Sequence, residues 1–106
     1  MPKYLLQASY STDGVSGLLK EGGTSRKATV EKLAETLGGS IEAFYYAFGD
    51  YDVYVIADVP DQATITALSL VINSTGAVNI KTTVLISPEE IDTASEKTVN
   101  YRPPGS

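Results

Sequence analysis

Apolar and polar residues repeat with two different periods along the chain, and these periods predict the elements. Four stretches alternate with a period of two or form short apolar runs typical of β-strands: residues 3–9, 41–48, 51–59 and 78–86. Two others have the period of an amphipathic helix. The first carries apolar residues at Val30, Leu33, Ala34 and Leu37, and the second at Ile65, Leu68, Val71 and Ile72. The resulting order is strand, helix, strand, strand, helix, strand.

Turn and capping residues separate these elements. Residues 11–14, Ser-Thr-Asp-Gly, supply turn and capping groups for a short helical piece that ends at Gly22-Gly23, and Thr24 or Ser25 is suited to cap the first main helix. Asp61 is suited to cap the second, and Pro88 to open a last short helix. We expect one domain over residues 1–95 and a flexible C-terminal tail over 96–106. The element order predicts an α+β, ferredoxin-like βαββαβ fold with a four-stranded antiparallel sheet and both main helices on one face.

Strand parity predicts which residues face those helices. The nearly pure apolar set is assigned to the helix side: Leu6, Ala8, Ile41, Ala43, Val53, Val55, Ala57, Ile80, Val84 and Ile86. The opposite side is mixed but includes large apolar and aromatic side chains: Phe44, Tyr46, Phe48, Tyr54, Ile56 and Leu85. Because a bare apolar face of this kind usually marks an interface, we expect these six residues to form the face of a homodimer, or of a higher homo-oligomer.

The segment 48–52, Phe-Gly-Asp-Tyr-Asp, lies between the second and third strands and predicts a hairpin corner. Gly49 is the residue expected to take the positive φ of a tight reversal. Asp50 suits turn chemistry, since an aspartate hydrogen-bonds its own backbone there.

Composition narrows the chemistry. The chain has 106 residues, room for one domain, and contains neither cysteine nor histidine, so disulfides, thiolate nucleophiles and the commonest metal and haem ligands are excluded. We therefore expect no metal and no cofactor. A net charge of −5 argues against a nucleic-acid partner. The N-terminus does not have the pattern of a secretory signal, and no apolar run approaches the roughly 20 residues that cross a bilayer. We expect a cytoplasmic protein without a membrane partner.

Several of these positions resemble one family. They are Tyr10, Thr12, Gly14, Arg26, Gly38-Gly39, Gly49-x-Tyr51-Asp52, Pro60-Asp61, Gly76 and Thr82-Thr83-Val84-Leu85. Over roughly residues 3–92 the chain resembles the GYD domain, named for a Gly-Tyr-Asp signature, although Asp50 here separates the glycine from the tyrosine. The resemblance implies a dimeric α+β barrel of two ferredoxin-like units. The wider barrel group includes cofactor-free monooxygenases, isomerases, haem enzymes and ligand-sensing domains, and fold alone does not choose among them.

Candidate site residues carry alternative interpretations. Asp52 and Tyr54 are candidates for a catalytic acid or base, but a turn aspartate and an interface tyrosine are the more common roles. Tyr10, Arg26 and Tyr45 are candidates for binding a small ligand between sheet and helices. For Arg26, the anionic partner would be Asp52 or a ligand carboxylate, and a solvated surface arginine is the favoured alternative.

These residues lead to three hypotheses of function. We rank a homodimeric module that binds a small apolar or aromatic molecule first and a structural or regulatory self-association module second. A cofactor-independent isomerase or monooxygenase-like enzyme comes third, because histidine and cysteine are missing.

Overall fold

The computed structural model of the protein describes residues 2–105 and contains four strands and four helices. In chain order they are β1 (Lys3–Tyr10), α1 (Thr12–Glu21), α2 (Gly23–Thr36), β2 (Ser40–Tyr46), β3 (Val53–Asp58), α3 (Gln62–Ser74), β4 (Val78–Leu85) and α4 (Pro88–Ser95). The main predicted elements are present, with boundaries that differ by a few residues.

The strands form one antiparallel sheet in the order β2-β3-β1-β4. α2 packs against β2 and α3 against β4, and the core lies between the helices and the sheet. Its buried residues are Tyr4, Leu6, Ala8, Val53, Val55, Ala57, Val59, Ile65 and Val78. This arrangement confirms the α+β, ferredoxin-like prediction.

A β-bulge in β2 corrects the predicted faces of that strand. Ile41 pairs with Ala57, but the register shifts before Ala43, which pairs with Ile56. Since one extra residue moves every later side chain to the opposite face, Phe44 and Tyr46 lie opposite Val55 and Val53 and pack against the core.

The assignment of Phe44, Tyr46 and Ala43 by simple alternation was therefore wrong. Ala43 and Tyr45 belong to the outer face, together with Leu5, Gln7, Tyr54, Ile56, Lys81, Thr83 and Leu85. We call this set the outer face of the sheet. The predicted positions of Tyr54, Ile56 and Leu85 on this face agree with the register.

Helix caps follow the sequence at two of three predicted sites. Ser11 accepts a hydrogen bond from the Gly14 amide at the start of α1, and Asp61 accepts one from the Thr64 amide at the start of α3. α2 differs because it begins at Gly23, with Gly22 at φ 88° as N-cap and no side-chain cap. An N-cap side chain bonds an amide two or three residues further along the chain. Because this contact is local, the caps at Ser11 and Asp61 could be predicted from the sequence.

The β2–β3 corner also differs from expectation in one detail. Its positive φ belongs to Phe48, at 55°, and Gly49 is not in the left-handed region. The corner closes through a 2.9 Å hydrogen bond from the Ala47 amide to the Asp52 carbonyl oxygen. Phe48 is 58 % exposed and its ring stacks on Tyr46 with centroids 6.0 Å apart.

The C-terminal segment projects from the sheet-and-helix layers. Every residue from 88 to 105 is exposed, including Ile91, Val99 and Tyr101. The radius of gyration is 17.0 Å, against about 13 Å for a compact domain of this length. Within residues 2–105, no helix is both long and apolar enough to span a bilayer.

Candidate functional site

A cavity of about 110 Å³ lies between the sheet and helices α2 and α3. The cavity is present because three of the residues that line it have small side chains: Ala8 and Ala57 on the strands and Ala34 on α2. Larger apolar side chains complete its wall, among them Leu6, Val30, Leu33, Phe44, Val55, Leu68, Ile72 and Ile80. The wall is therefore almost wholly hydrocarbon, a lining that suits an apolar ligand.

Polar groups gather at one end of this cavity. Tyr10 at the end of β1, and Arg26 and Thr29 on the first turns of α2, are the polar side chains that line it. A second cavity of about 180 Å³ adjoins this end and shares Tyr10, Arg26 and Val78 with the first. Acidic side chains of α1, Asp13 and Glu21, line the second cavity. Arg26 thus lies where the apolar cavity meets the second one, which we call the polar cavity because acidic side chains line part of it.

Tyr46 belongs to the same end of the molecule, although parity had placed it on the other face. Its hydroxyl donates a 3.1 Å hydrogen bond to the Gly23 carbonyl oxygen, which ties β2 to the start of α2. Burial raises the pKa of Tyr46, and the nearby Tyr10 adds to the rise, while Arg26 opposes it. The hydroxyl therefore keeps its proton, and with it the hydrogen bond to Gly23, to a higher pH than an exposed tyrosine would. The sequence would have placed Tyr46 at this site only if the bulge in β2 had been recognised.

The three predicted ligand-binding residues separate in the structure. Tyr10 and Arg26 come together at the cavity, and their role in binding stays a prediction. Tyr45 is 72 % exposed on the outer face and does not line the cavity. Its predicted place beside Tyr10 and Arg26 was wrong, because the bulge turns Tyr45 outward and Tyr46 inward.

Asp52 occupies a structural position at the corner. Its carboxylate accepts a 2.8 Å hydrogen bond from the Tyr10 amide, and its own amide donates to the Ala8 carbonyl oxygen at 2.8 Å. The carboxylate thus extends the pairing between β1 and β3 by one residue. Arg26 does not have Asp52 as its partner among the ion pairs of residues 2–105.

Tyr54, the other catalytic candidate, lies on the outer face. Its ring meets that of Tyr51 edge to face, with centroids 6.1 Å apart. Neither Tyr54 nor Asp52 lines the apolar cavity. Their catalytic role stays a prediction, and the structure does not bring them to a common site with Arg26.

An ion-pair group marks the edge of the outer face. The Lys3 Nζ lies 3.0 Å from the Asp58 carboxylate and 3.2 Å from that of Glu42, the residue in the bulge. Hydrogen bonds to Asp58 and then Glu42 raise the pKa of Lys3. These charges link β1, β3 and β2 at the surface, where such pairs contribute little to stability. In residues 2–105 no group of three or more acidic side chains is placed to hold a metal ion.

Comparison with known proteins identifies the family. The family model described as the GYD domain matches residues 4–94, most of the chain. The chain belongs to the GYD domain family. Searches of curated proteins and of solved structures found no match.

In this GYD domain, the signature residues build the corner between β2 and β3. The Gly49 amide donates to the Tyr51 carbonyl oxygen at 3.2 Å, Tyr51 packs on Tyr54, and Asp52 holds the end of β1. Asp50, which interrupts the signature, is exposed. The signature therefore has a structural explanation at each of its three named residues.

Proposed function

We propose that this GYD domain is a homodimeric module that binds a small, largely apolar molecule in the cavity between sheet and helices. The observation that carries the proposal is the cavity itself, about 110 Å³ in volume and lined by the apolar side chains of the core. Well-packed interiors contain few voids larger than a water molecule. An apolar space of this size costs packing energy, and a ligand that filled it would recover that energy.

The volume of the cavity limits the size of the ligand. An apolar cavity of about 150 Å³ takes up a benzene-sized molecule, so the present space of about 110 Å³ suits a ring smaller than benzene or a chain of roughly five carbons. A larger molecule would have to leave part of itself in the adjoining polar cavity.

Thermal unfolding with neutral probes tests the binding. We expect 1-pentanol or 1-hexanol to raise the unfolding temperature saturably, because a ligand that binds only the folded state stabilises it. Ala34→Leu places an isobutyl group into the cavity and should abolish the shift. Ala28→Leu is the matched control, since Ala28 is exposed on the same helix. No saturable shift with either probe, or an equal shift in Ala34→Leu, would exclude the cavity as the binding site.

The homodimer is supported by two surfaces that the single chain leaves uncovered. The outer face exposes Tyr45 and leaves Leu5, Tyr54, Ile56 and Leu85 only partly covered. The C-terminal segment adds exposed Ile91, Val99 and Tyr101. We infer that a second copy covers the outer face, because an isologous contact between two sheets buries both faces at once.

Sedimentation across a dilution series tests this assembly. Tyr45→Glu puts a charge on the proposed interface and should shift the protein towards monomer. Leu70→Glu is the control, because Leu70 is similarly exposed, at 67 %, but lies on α3 on the opposite side of the sheet. A wild-type monomer at every concentration, or equal dissociation by both variants, would contradict the proposed interface.

A further inference from the structure

We infer that the ligand of the cavity is an amphipathic anion, a short apolar chain or ring that ends in a carboxylate, with Arg26 as the residue that binds the carboxylate. The inference rests on the proposed function and adds the chemical class of the ligand. Three observations carry it: the state of the Arg26 side chain, its position between two cavities, and the arrangement of the acids around it.

Arg26 is a partly buried cation without a protein partner. Among residues 2–105 its guanidinium makes neither an ion pair nor a side-chain hydrogen bond. Lys3, by contrast, has two carboxylates within 3.2 Å even though it is exposed. A guanidinium presents five donors in a rigid fork that matches a carboxylate, so Arg26 has binding capacity that the chain itself leaves unused.

The position of Arg26 fits the boundary between the two halves of such a ligand. Arg26 and Tyr10 line both cavities, the apolar one and the adjoining polar one. A hydrocarbon portion in the first cavity therefore places its terminal group beside Arg26. Tyr10 lines both cavities as well, and a tyrosine hydroxyl is a donor that a carboxylate can accept.

The nearby acids do not neutralise this cation. Glu21 lines the polar cavity with Arg26, but its Oε1 accepts a 3.4 Å hydrogen bond from the Thr29 hydroxyl, and the two charged groups are not within ion-pair distance. Glu21 should oppose the bound anion at longer range. Its replacement by glutamine should therefore strengthen binding.

A series of three ligands with the same chain and different ends tests the inference. Isothermal titration at pH 7 would compare hexanoate, 1-hexanol and hexylammonium. We expect hexanoate to bind about tenfold more tightly than 1-hexanol, because a charge-assisted hydrogen bond contributes roughly twice as much as a neutral one. Added salt should weaken hexanoate binding and leave 1-hexanol unchanged.

Variants on α2 and at the end of α1 test whether Arg26 is the residue that binds the carboxylate. Arg26→Gln should weaken hexanoate binding about tenfold and change 1-hexanol by less than about twofold. Lys27→Gln removes the same charge from the neighbouring exposed position and should change neither. Glu21→Gln should tighten hexanoate binding.

The outcomes separate this inference from the proposed function. If 1-hexanol binds and hexanoate is no tighter, or if Arg26→Gln weakens both equally, the anionic class is wrong while the cavity remains a binding site. Preference for hexylammonium would overturn it in favour of the acids Asp13 and Glu21. If none of the three binds, the proposed function itself fails.

Discussion

Truncation of Phe44 and of its neighbour Tyr45 would test the bulge in β2, on which the composition of both faces depends. The bulge places Phe44 against the core, beside the cavity, and leaves Tyr45 72 % exposed on the outer face. Simple alternation would place Phe44 outside. The two interpretations therefore predict opposite rankings for Phe44→Ala and Tyr45→Ala.

The magnitude follows from burial. Removal of a fully buried phenylalanine costs about 3–5 kcal/mol, and Phe44 is only partly buried, so we expect a loss of about 2–3 kcal/mol in the free energy of unfolding. Tyr45→Ala should cost less than about 0.5 kcal/mol in the monomer, as is usual for surface substitutions.

Chemical denaturation at several protein concentrations would measure both effects. The Phe44→Ala loss should persist at every concentration, because it arises within one chain. Any loss from Tyr45→Ala should shrink on dilution, since it arises from the proposed dimer. A Tyr45→Ala loss that equals or exceeds that of Phe44→Ala at the lowest concentration would refute the register described for β2.

Substitutions at three further residues test individual contacts. Asp52→Ala should lower the free energy of unfolding by about 1–3 kcal/mol, because it leaves the Tyr10 amide without its acceptor. Asp52→Asn should lower it less, because the asparagine side-chain oxygen can still accept that hydrogen bond. Equal losses in the two variants would contradict the structural role of Asp52. The Thr64 amide and hydroxyl hold the pKa of Asp61 below the ordinary aspartate value of 3.8. The contribution of Asp61 to stability is therefore present above that pH and is lost as the pH falls through the folded pKa. Asp61→Asn should therefore flatten the acid limb of the unfolding temperature against pH, and an unchanged limb would argue against this cap. Burial raises the pKa of Tyr46 above 10.0, so the contribution of Tyr46 to stability is full below that pH and is lost as the pH rises through the folded pKa. Tyr46→Phe should therefore reduce the loss of stability at alkaline pH, measured by thermal unfolding. An unchanged alkaline limb would contradict the burial of Tyr46.

The sequence was sufficient for the elements and their order because the signals that define them are local. Asp61 lies immediately before α3 and three residues before the amide that it caps, a spacing visible in the sequence. Helical periodicity in α2 and α3 and alternation in β1 and β3 similarly depend on near neighbours. These signals led to the correct topology.

The faces of β2 could not be predicted because the bulge is hidden by the residues around it. Ile41 and Ala43 are both apolar, so uninterrupted alternation fits the strand as well as the bulged register does. Only the pairing with β3 shows that Phe44 and Tyr46 turn inward. Phe48 at positive φ is a similar case, since the adjacent Gly49 is the residue that local preference selects.

The candidate site was predicted only in part, for a related reason. Tyr10 and Arg26 could be selected as an aromatic residue and a cation near the sheet, but the cavity depends on packing between distant side chains. Ala8, Ala34 and Ala57 come from three different elements, and the space between them exists only once those elements have packed.

The most direct test of the account is a titration of the ¹⁵N-labelled protein with hexanoate, followed by two-dimensional NMR. We predict saturable shifts for amides around the cavity, at Leu6, Ala34, Ala57 and Val78, and at Arg26 beside the carboxylate. Amides of the outer face should move little. Shifts confined to the outer face, or no saturable shifts at all, would contradict the claim that this cavity binds a ligand.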